Sequence, residues 1–172
     1  KLLYGYHLAK EKIYKTKEII VCEGYLDVIM LHQAGFNNAV ATLGTALTKD
    51  HLPLLRRGEP RVILSYDGDK AGQNAAFKAS VMLSQNGFDG GVVIFENGAD
   101  PADMVKDRKI EELEELFSNP TPFANFAISY IISSYNINNP VEKQKALSEA
   151  NEYLSSLSQL YQEEYKRFLA QK

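Results

Sequence analysis

Apolar and polar positions along this chain follow two periods, one helical and one extended. Leu2, Tyr6, Ala9 and Ile13 recur at spacings of 4, 3 and 4, which predicts an amphipathic helix ending near Lys15. Glu18-Ile-Ile-Val-Cys-Glu23 reads as a short apolar strand stopped by Gly24. Tyr25 to His32 reads as a helix with Leu26, Ile29 and Met30 on one side and Gly35 as its stop. Ala39-Val-Ala-Thr42 is a second strand, followed by the turn Gly44-Thr45. A helix is expected to open near Thr48, with Asp50 in its first turn, and to run towards Arg57. Pro53 inside it implies a kink or a later start. The third strand is Val62 to Tyr66, and the helix after it places Ala75, Ala79, Met82 and Leu83 on one face and ends at Gly87. A fourth strand, Gly91 to Phe95, leads into the turn from Asn97 to Pro101.

Strands alternating with helices of this length predict βαβ units, hence an α/β fold with a mostly parallel sheet flanked by helices. After about residue 118 no further strand pattern is read, and Asn119-Pro-Thr-Pro122 marks the expected boundary. Three helical segments follow: Pro122 to Tyr135, Pro140 to Leu157 and Leu160 to Leu169. Asn139 as N-cap, Pro140 at the first position and Glu142 at the third signal the start of the middle one. Apolar spacings of 3 and 4 predict a small C-terminal helical bundle, with its aromatics in the core. The expected division is therefore a leading helix over 1–17, a sheet domain over 18–118 and a helical subdomain over 119–172.

Composition narrows the function only slightly. The 172 residues carry a net charge of −3, so the chain as a whole is not an electrostatic nucleic-acid binder. Lys1, Lys10, Lys12, Lys15 and Lys17, and the group Arg56, Arg57 and Arg61, read as solvated faces. Cys22 is the single cysteine, which excludes a disulfide framework and fits a reducing cytoplasm. No stretch approaches a membrane span. The chain opens mid-pattern without an initiator Met, which leads us to expect a portion of something longer.

The chemistry is in the acids at the strand ends. Glu23 ends the first strand, Asp67 and Asp69 end the third, and Asp100 follows the fourth; Asp27 lies one turn into the helix after Glu23. In an open α/β sheet, ligands bind beyond the carboxyl ends of the strands. Apolar strands that each end in acid are costly unless a cation sits among them. An oxygen-ligated site suited to Mg²⁺ or Mn²⁺ is the expectation. Asp100 before Pro101 is equally well placed as a helix N-cap, and Asp27 could complement a helix dipole. Asp67-Gly68-Asp69 resembles the start of a calcium loop, but Ala71 and Lys78 occupy positions where an EF-hand needs oxygen ligands. His7, His32 and His51 have no ligand spacing. No nucleophile with a partnered base is visible, so the reaction class that best needs this arrangement is phosphoryl or nucleotidyl transfer.

Glu23 at one strand end with Asp67-x-Asp69 at a later one is similar to the Toprim domain of primases, type IA and II topoisomerases and some nucleases. Val21-Cys-Glu23-Gly-Tyr-Leu-Asp27-Val-Ile resembles a motif of bacterial replicative primases. So do Ala39-Val-Ala-Thr-Leu-Gly-Thr45, Tyr66-Asp67-Gly-Asp69-Lys-Ala-Gly72-Gln-Asn-Ala-Ala, and Leu3-Tyr-Gly5 followed by Ala9. The resemblance runs from about Leu3 to Val105. It implies a Toprim-type sheet within the core of a DNA-directed RNA polymerase that makes short RNA primers for DNA replication by two-metal nucleotidyl transfer. Glu23, Asp67 and Asp69 would be the catalytic residues. Glu23, Asp27, Asp67, Asp69 and Asp100 would bind two or more Mg²⁺ or Mn²⁺ ions.

The resemblance further implies that the leading helix ends an upstream polymerase subdomain. Partners would be a single-stranded DNA template, nucleotide triphosphates and the RNA primer, at the bacterial replisome and nucleoid. The replicative helicase would be met through a domain outside this chain, and zinc would belong only to a module also outside it. The family's Asp-Pro-Asp turn is here Asp100-Pro101-Ala102-Asp103, so the second acid is missing or displaced. Three other readings compete: a Toprim nuclease or topoisomerase piece, a receiver-like Mg²⁺-binding signalling domain, and a non-catalytic interaction module. A topoisomerase needs a catalytic tyrosine that is not recognisable here, and a receiver-like domain wants its single and paired acids the other way round.

Overall fold

The computed structural model describes residues 1–172 apart from the side chain of Asn97. The Asn97 side chain of the turn expected at 97–101 thus lies outside the described residues. The elements run α1 (Tyr6–Thr16), β1 (Glu18–Cys22), α2 (Tyr25–Gln33), β2 (Ala39–Ala41), α3 (Leu52–Leu55), β3 (Arg61–Tyr66), α4 (Lys70–Gln85), β4 (Gly90–Ile94), α5 (Pro101–Lys106), α6 (Ile110–Ser118), β5 (Thr121–Pro122), α7 (Phe123–Ser133), α8 (Pro140–Ser155) and α9 (Gln159–Ala170). One sheet has the order β2-β1-β3-β4-β5, with the first four strands parallel and β5 antiparallel to β4.

Strand residues alternate between two cores. Ile19, Val21, Val62, Leu64 and Val92 face Ala9 and Ile13 of α1 and Ala76, Ala79 and Leu83 of α4. Ile20, Cys22, Ile63 and Val93 face Val28 and Leu31 of α2, Met104 of α5, and Leu113 and Phe117 of α6. Burial on both faces is why these strands are continuously apolar rather than alternating. A third core joins α7, α8 and α9 through Ile128, Ile131, Tyr153 and Leu154, with Phe77 and Val81 of α4 packed against it.

The structure departs from the sequence reading in several places. The first helix begins at Tyr6, and Leu2 lies outside it; Tyr4 instead bridges Ala41 on the open side of β2. α2 buries Asp27, Val28 and Leu31, while Leu26 and Ile29 face solvent. Pro53 forces the later start: a 3-10 turn over Lys49–His51 precedes α3, which takes Pro53 in its first turn where no N–H is missed. α5 and α6 were not expected. The 3-4 spacing of Ile110, Leu113 and Phe117 is the signal that could have found α6. β5, two residues long and ending in Pro122, has no sequence signature.

Candidate metal and nucleotide site

The sheet order fixes where a ligand can sit. From β1 the chain crosses to β2 on one side, then returns to β3 on the other, so the switch in direction lies between β1 and β3. Cys22 pairs with Ser65. The next residues on each strand are therefore Glu23 and Tyr66-Asp67, at the mouth of that crevice. The backbone N–H of Asp67 donates to Glu23 Oε1 at 3.3 Å, tying the two strand ends together.

The turn after β3 is shaped by close approach. A Cβ on Gly68 would lie 1.8 Å from the carbonyl oxygen of Phe95, and one on Gly72 would lie 2.2 Å from that of Asp67. Only glycine lets the loop fold back so tightly over β4. Asp69 then caps α4, its Oδ1 accepting from the Gly72 N–H at 2.6 Å. Asp100 caps α5 in the same way, with Oδ1 accepting from the Asp103 N–H at 2.7 Å. Each cap engages one carboxylate oxygen, so capping and ligation do not compete for the same atom.

Asp27 is the deepest acid, 8% exposed. Its carboxyl lies near α5, where the backbone at Ala102, with that at Gly24, partly offsets the rise in its pKa. Burial, and then the charge of Asp100, push its pKa from 3.8 up to about 6. Burial and the charge of Asp67 raise Glu23 above the ordinary carboxylate range, against the favourable Asp67 N–H. Burial and the charges of Asp100, Asp69 and Asp103 raise Asp67. The side-chain charges acting on these three acids are all negative.

The structure thus brings Glu23, Asp27, Asp67, Asp69 and Asp100 to one edge, with exposed Asp103 close enough to act on Asp67. Among the described residues, no group of three or more acid, histidine or cysteine side chains converges as a ready-made ligand set. The donors are hard oxygens under mutual repulsion in an open crevice. That fits a divalent cation that keeps several waters, and does not fit a closed all-protein cage. The histidines stay out of it: His32 Nε2 lies 2.9 Å from the Ala39 carbonyl, and His51 Nδ1 accepts from the Thr48 N–H. The turn read at Gly44-Thr45 begins one residue earlier than its glycine implies, with both Leu43 and Gly44 in the left-handed region on this edge.

A parallel α/β sheet with carboxylates on both sides of its switch point defines a class of hard-cation-binding, phosphate-handling domains. A family model described as Toprim-like matches residues 20–105, and one described as the DnaB-helicase binding domain of primase matches residues 124–172. The chain is 58% identical over 169 residues to a DNA primase of Helicobacter pylori, covering 98% of this chain and 30% of the relative. The RNA polymerase domain of Mycobacterium tuberculosis primase DnaG superposes with a TM-score of 0.86 at 31% identity, covering 99% of this chain and 56% of that one. A DnaG primase catalytic domain bound to ssDNA superposes equally well, with a TM-score of 0.86 at 29% identity and the same coverage. The chain belongs to the Toprim-like family, and along 98% of its length it is similar to a DNA primase.

The helicase-binding description falls on α7, α8 and α9, whereas the sequence reading put that partner's domain outside the chain. The same helices are matched in structures of the polymerase domain, so the segment carries both resemblances.

Proposed function

We propose that this chain is the metal-binding part of a primase core, which makes short RNA primers on single-stranded DNA by nucleotidyl transfer. The observation that carries the reading is the paired strand ends, Glu23 and Asp67, joined by one hydrogen bond at the sheet's switch point. Residues 18–118 form the metal-binding unit, 119–172 the helical subdomain, and 1–17 the end of a preceding subdomain. The chain spans 30% of the length of its Helicobacter pylori relative, and much of the template and nucleotide surface belongs, in this reading, to a subdomain outside the matched span.

Glu23, Asp27, Asp67, Asp69 and Asp100 hold two or more Mg²⁺ or Mn²⁺ ions, with Glu23, Asp67 and Asp69 closest to the chemistry. A bound divalent cation supplies counter-charge to a phosphate and acidifies a hydroxyl on it. The protein's own part is positional. The Asp67 N–H orients Glu23, and the helix caps fix one oxygen each of Asp69 and Asp100. Partners are template DNA, nucleotide triphosphates, the primer and a replicative helicase, in the bacterial cytoplasm. No helix is long and apolar enough to cross a membrane among the described residues.

The test is replacement. This chain, exchanged for the corresponding segment of the Helicobacter pylori primase, is expected to support primer synthesis on single-stranded DNA. Asp67→Asn in the exchanged segment is expected to abolish synthesis and also Mn²⁺ binding by titration calorimetry, with the fold intact by circular dichroism. Full activity of the exchanged protein carrying Asp67→Asn would refute the assignment.

A further inference from the structure

Of the four parallel strands, β2 alone delivers no acid to the carboxyl edge; it delivers a strained loop instead. The Thr42 N–H donates to the Cys22 carbonyl at 3.3 Å, extending the ladder one residue past β2 and setting Thr42 beside Glu23. The chain then takes two successive left-handed residues, Leu43 at φ 57° and Gly44 at φ 66°. A leucine there is an outlier, since its Cβ crowds the backbone. Leu43 is 46% exposed, so burial of its side chain does not compensate the strain. The turn is closed by the Thr45 hydroxyl, which donates to the Thr42 carbonyl at 2.8 Å. Among the described residues, the backbone N–H groups of Leu43, Gly44, Thr45 and Ala46 donate to no protein acceptor. A Cβ built on Gly44 meets nothing within 4 Å, so the space over the loop is open. Exposed Lys49 follows at the start of the next turn.

Strain that packing does not require, held beside a candidate site, points from geometry to function. Backbone N–H groups presented by a left-handed turn form a concavity of positive partial charge. On an edge otherwise lined by carboxylates, such a concavity attracts an anion without a cation. We propose that the 43–46 loop is a phosphate subsite: its N–H groups receive oxygens of a nucleoside triphosphate held at the neighbouring acid edge. The proposal rests on the nucleotidyl-transfer reading and adds to it where the polyphosphate is steadied. Leu43 and Gly44 are positioning residues; their backbone, not their side chains, meets the ligand.

The experiment is a ¹⁵N amide titration of the chain with Mg²⁺ alone, then with Mg-ATP. The amides of Leu43 to Ala46 are expected to shift with Mg-ATP beyond their response to Mg²⁺. Gly44→Val, which the φ of 66° disfavours, is expected to weaken Mg-ATP binding about tenfold, the scale of one lost charge-assisted hydrogen bond, while Mn²⁺ affinity stays unchanged. Leu43→Asn, which tolerates the left-handed region, is expected to keep nucleotide affinity. Unmoved 43–46 amides, with Gly24 and Gly68 responding to nucleotide, would overturn the subsite and leave the nucleotidyl-transfer reading standing. No response of the 43–46 amides to Mg-ATP at millimolar concentration would likewise overturn the subsite. Equal loss of Mn²⁺ and Mg-ATP affinity in Gly44→Val would make the loop a structural support and also overturn the subsite.

Discussion

The sheet edge and the helical bundle treat polar groups in opposite ways. At the sheet edge, Glu23, Asp27 and Asp67 are wholly or partly buried among other acids, and the Asp67 N–H that donates to Glu23 is only a partial compensation. In the bundle, polar groups find ordinary partners: Tyr153 shares a hydrogen bond with Ser84 at 2.7 Å, Tyr135 donates to Glu149 at 2.6 Å, and the Asn136 N–H donates to Glu142 at 2.6 Å. The bundle is arranged for packing, with Phe77 of α4 stacked on Tyr130 at 4.5 Å. The edge accepts an electrostatic cost that packing does not need, the mark of a site waiting for a ligand. α4 joins the two, with Asp69 capping one end and the bundle resting on the other.

The difference can be tested by perturbing each side. The largest effect is expected at Gly68→Ala. Its Cβ meets backbone at 1.8 Å, so the turn must move, at a cost of roughly 3 kcal/mol and on the order of 10 °C in Tm, with loss of Mn²⁺ binding. A melting curve within a degree or two of the parent would show that the tight return over Phe95 is not required.

Asp27→Asn should act in the other direction. Because its folded pKa is raised to about 6, Asp27's contribution to stability is fully present below about pH 3.8 and is lost as pH rises through about 6. Removing the charge is expected to stabilise the cation-free protein at pH 7 by roughly 1–2 kcal/mol, about 3–6 °C, and to change little at pH 4. Denaturation at the two pH values decides it, and equal shifts at both would contradict the charge-repulsion account. Mn²⁺ affinity should fall in the same variant.

The smallest effect is expected from Tyr153→Phe in the bundle. Loss of its hydrogen bond to Ser84 should cost about 1 kcal/mol, while Mn²⁺ affinity at the far end of α4 stays unchanged. A weakened cation site would show that bundle and edge are coupled through α4.

Much of this was legible in one dimension. The apolar runs at β1, β2, β3 and β4 and the acids after them lie within short windows, where periodicity and strand-end chemistry are written directly into neighbouring residues. The motifs around Glu23 and Asp67 carried the family. Less visible were features whose cause is distant in sequence. α2 turns Asp27 inward and Leu26 outward because α5 covers it, and α5 was not foreseen. β5 exists because Thr121 meets Val92, not because its two residues favour a strand.

What the sequence determined by itself, then, is the alternation of strands and helices and the kind of atom each strand brings to its carboxyl end. Tertiary structure decided the strand order that puts Glu23 beside Asp67, the burial that lifts Asp27 to about 6, and the left-handed turn at Leu43. Local pattern follows from bonds and side-chain periods within a few residues, whereas neighbours across a sheet depend on which way each crossover passes and what covers each face.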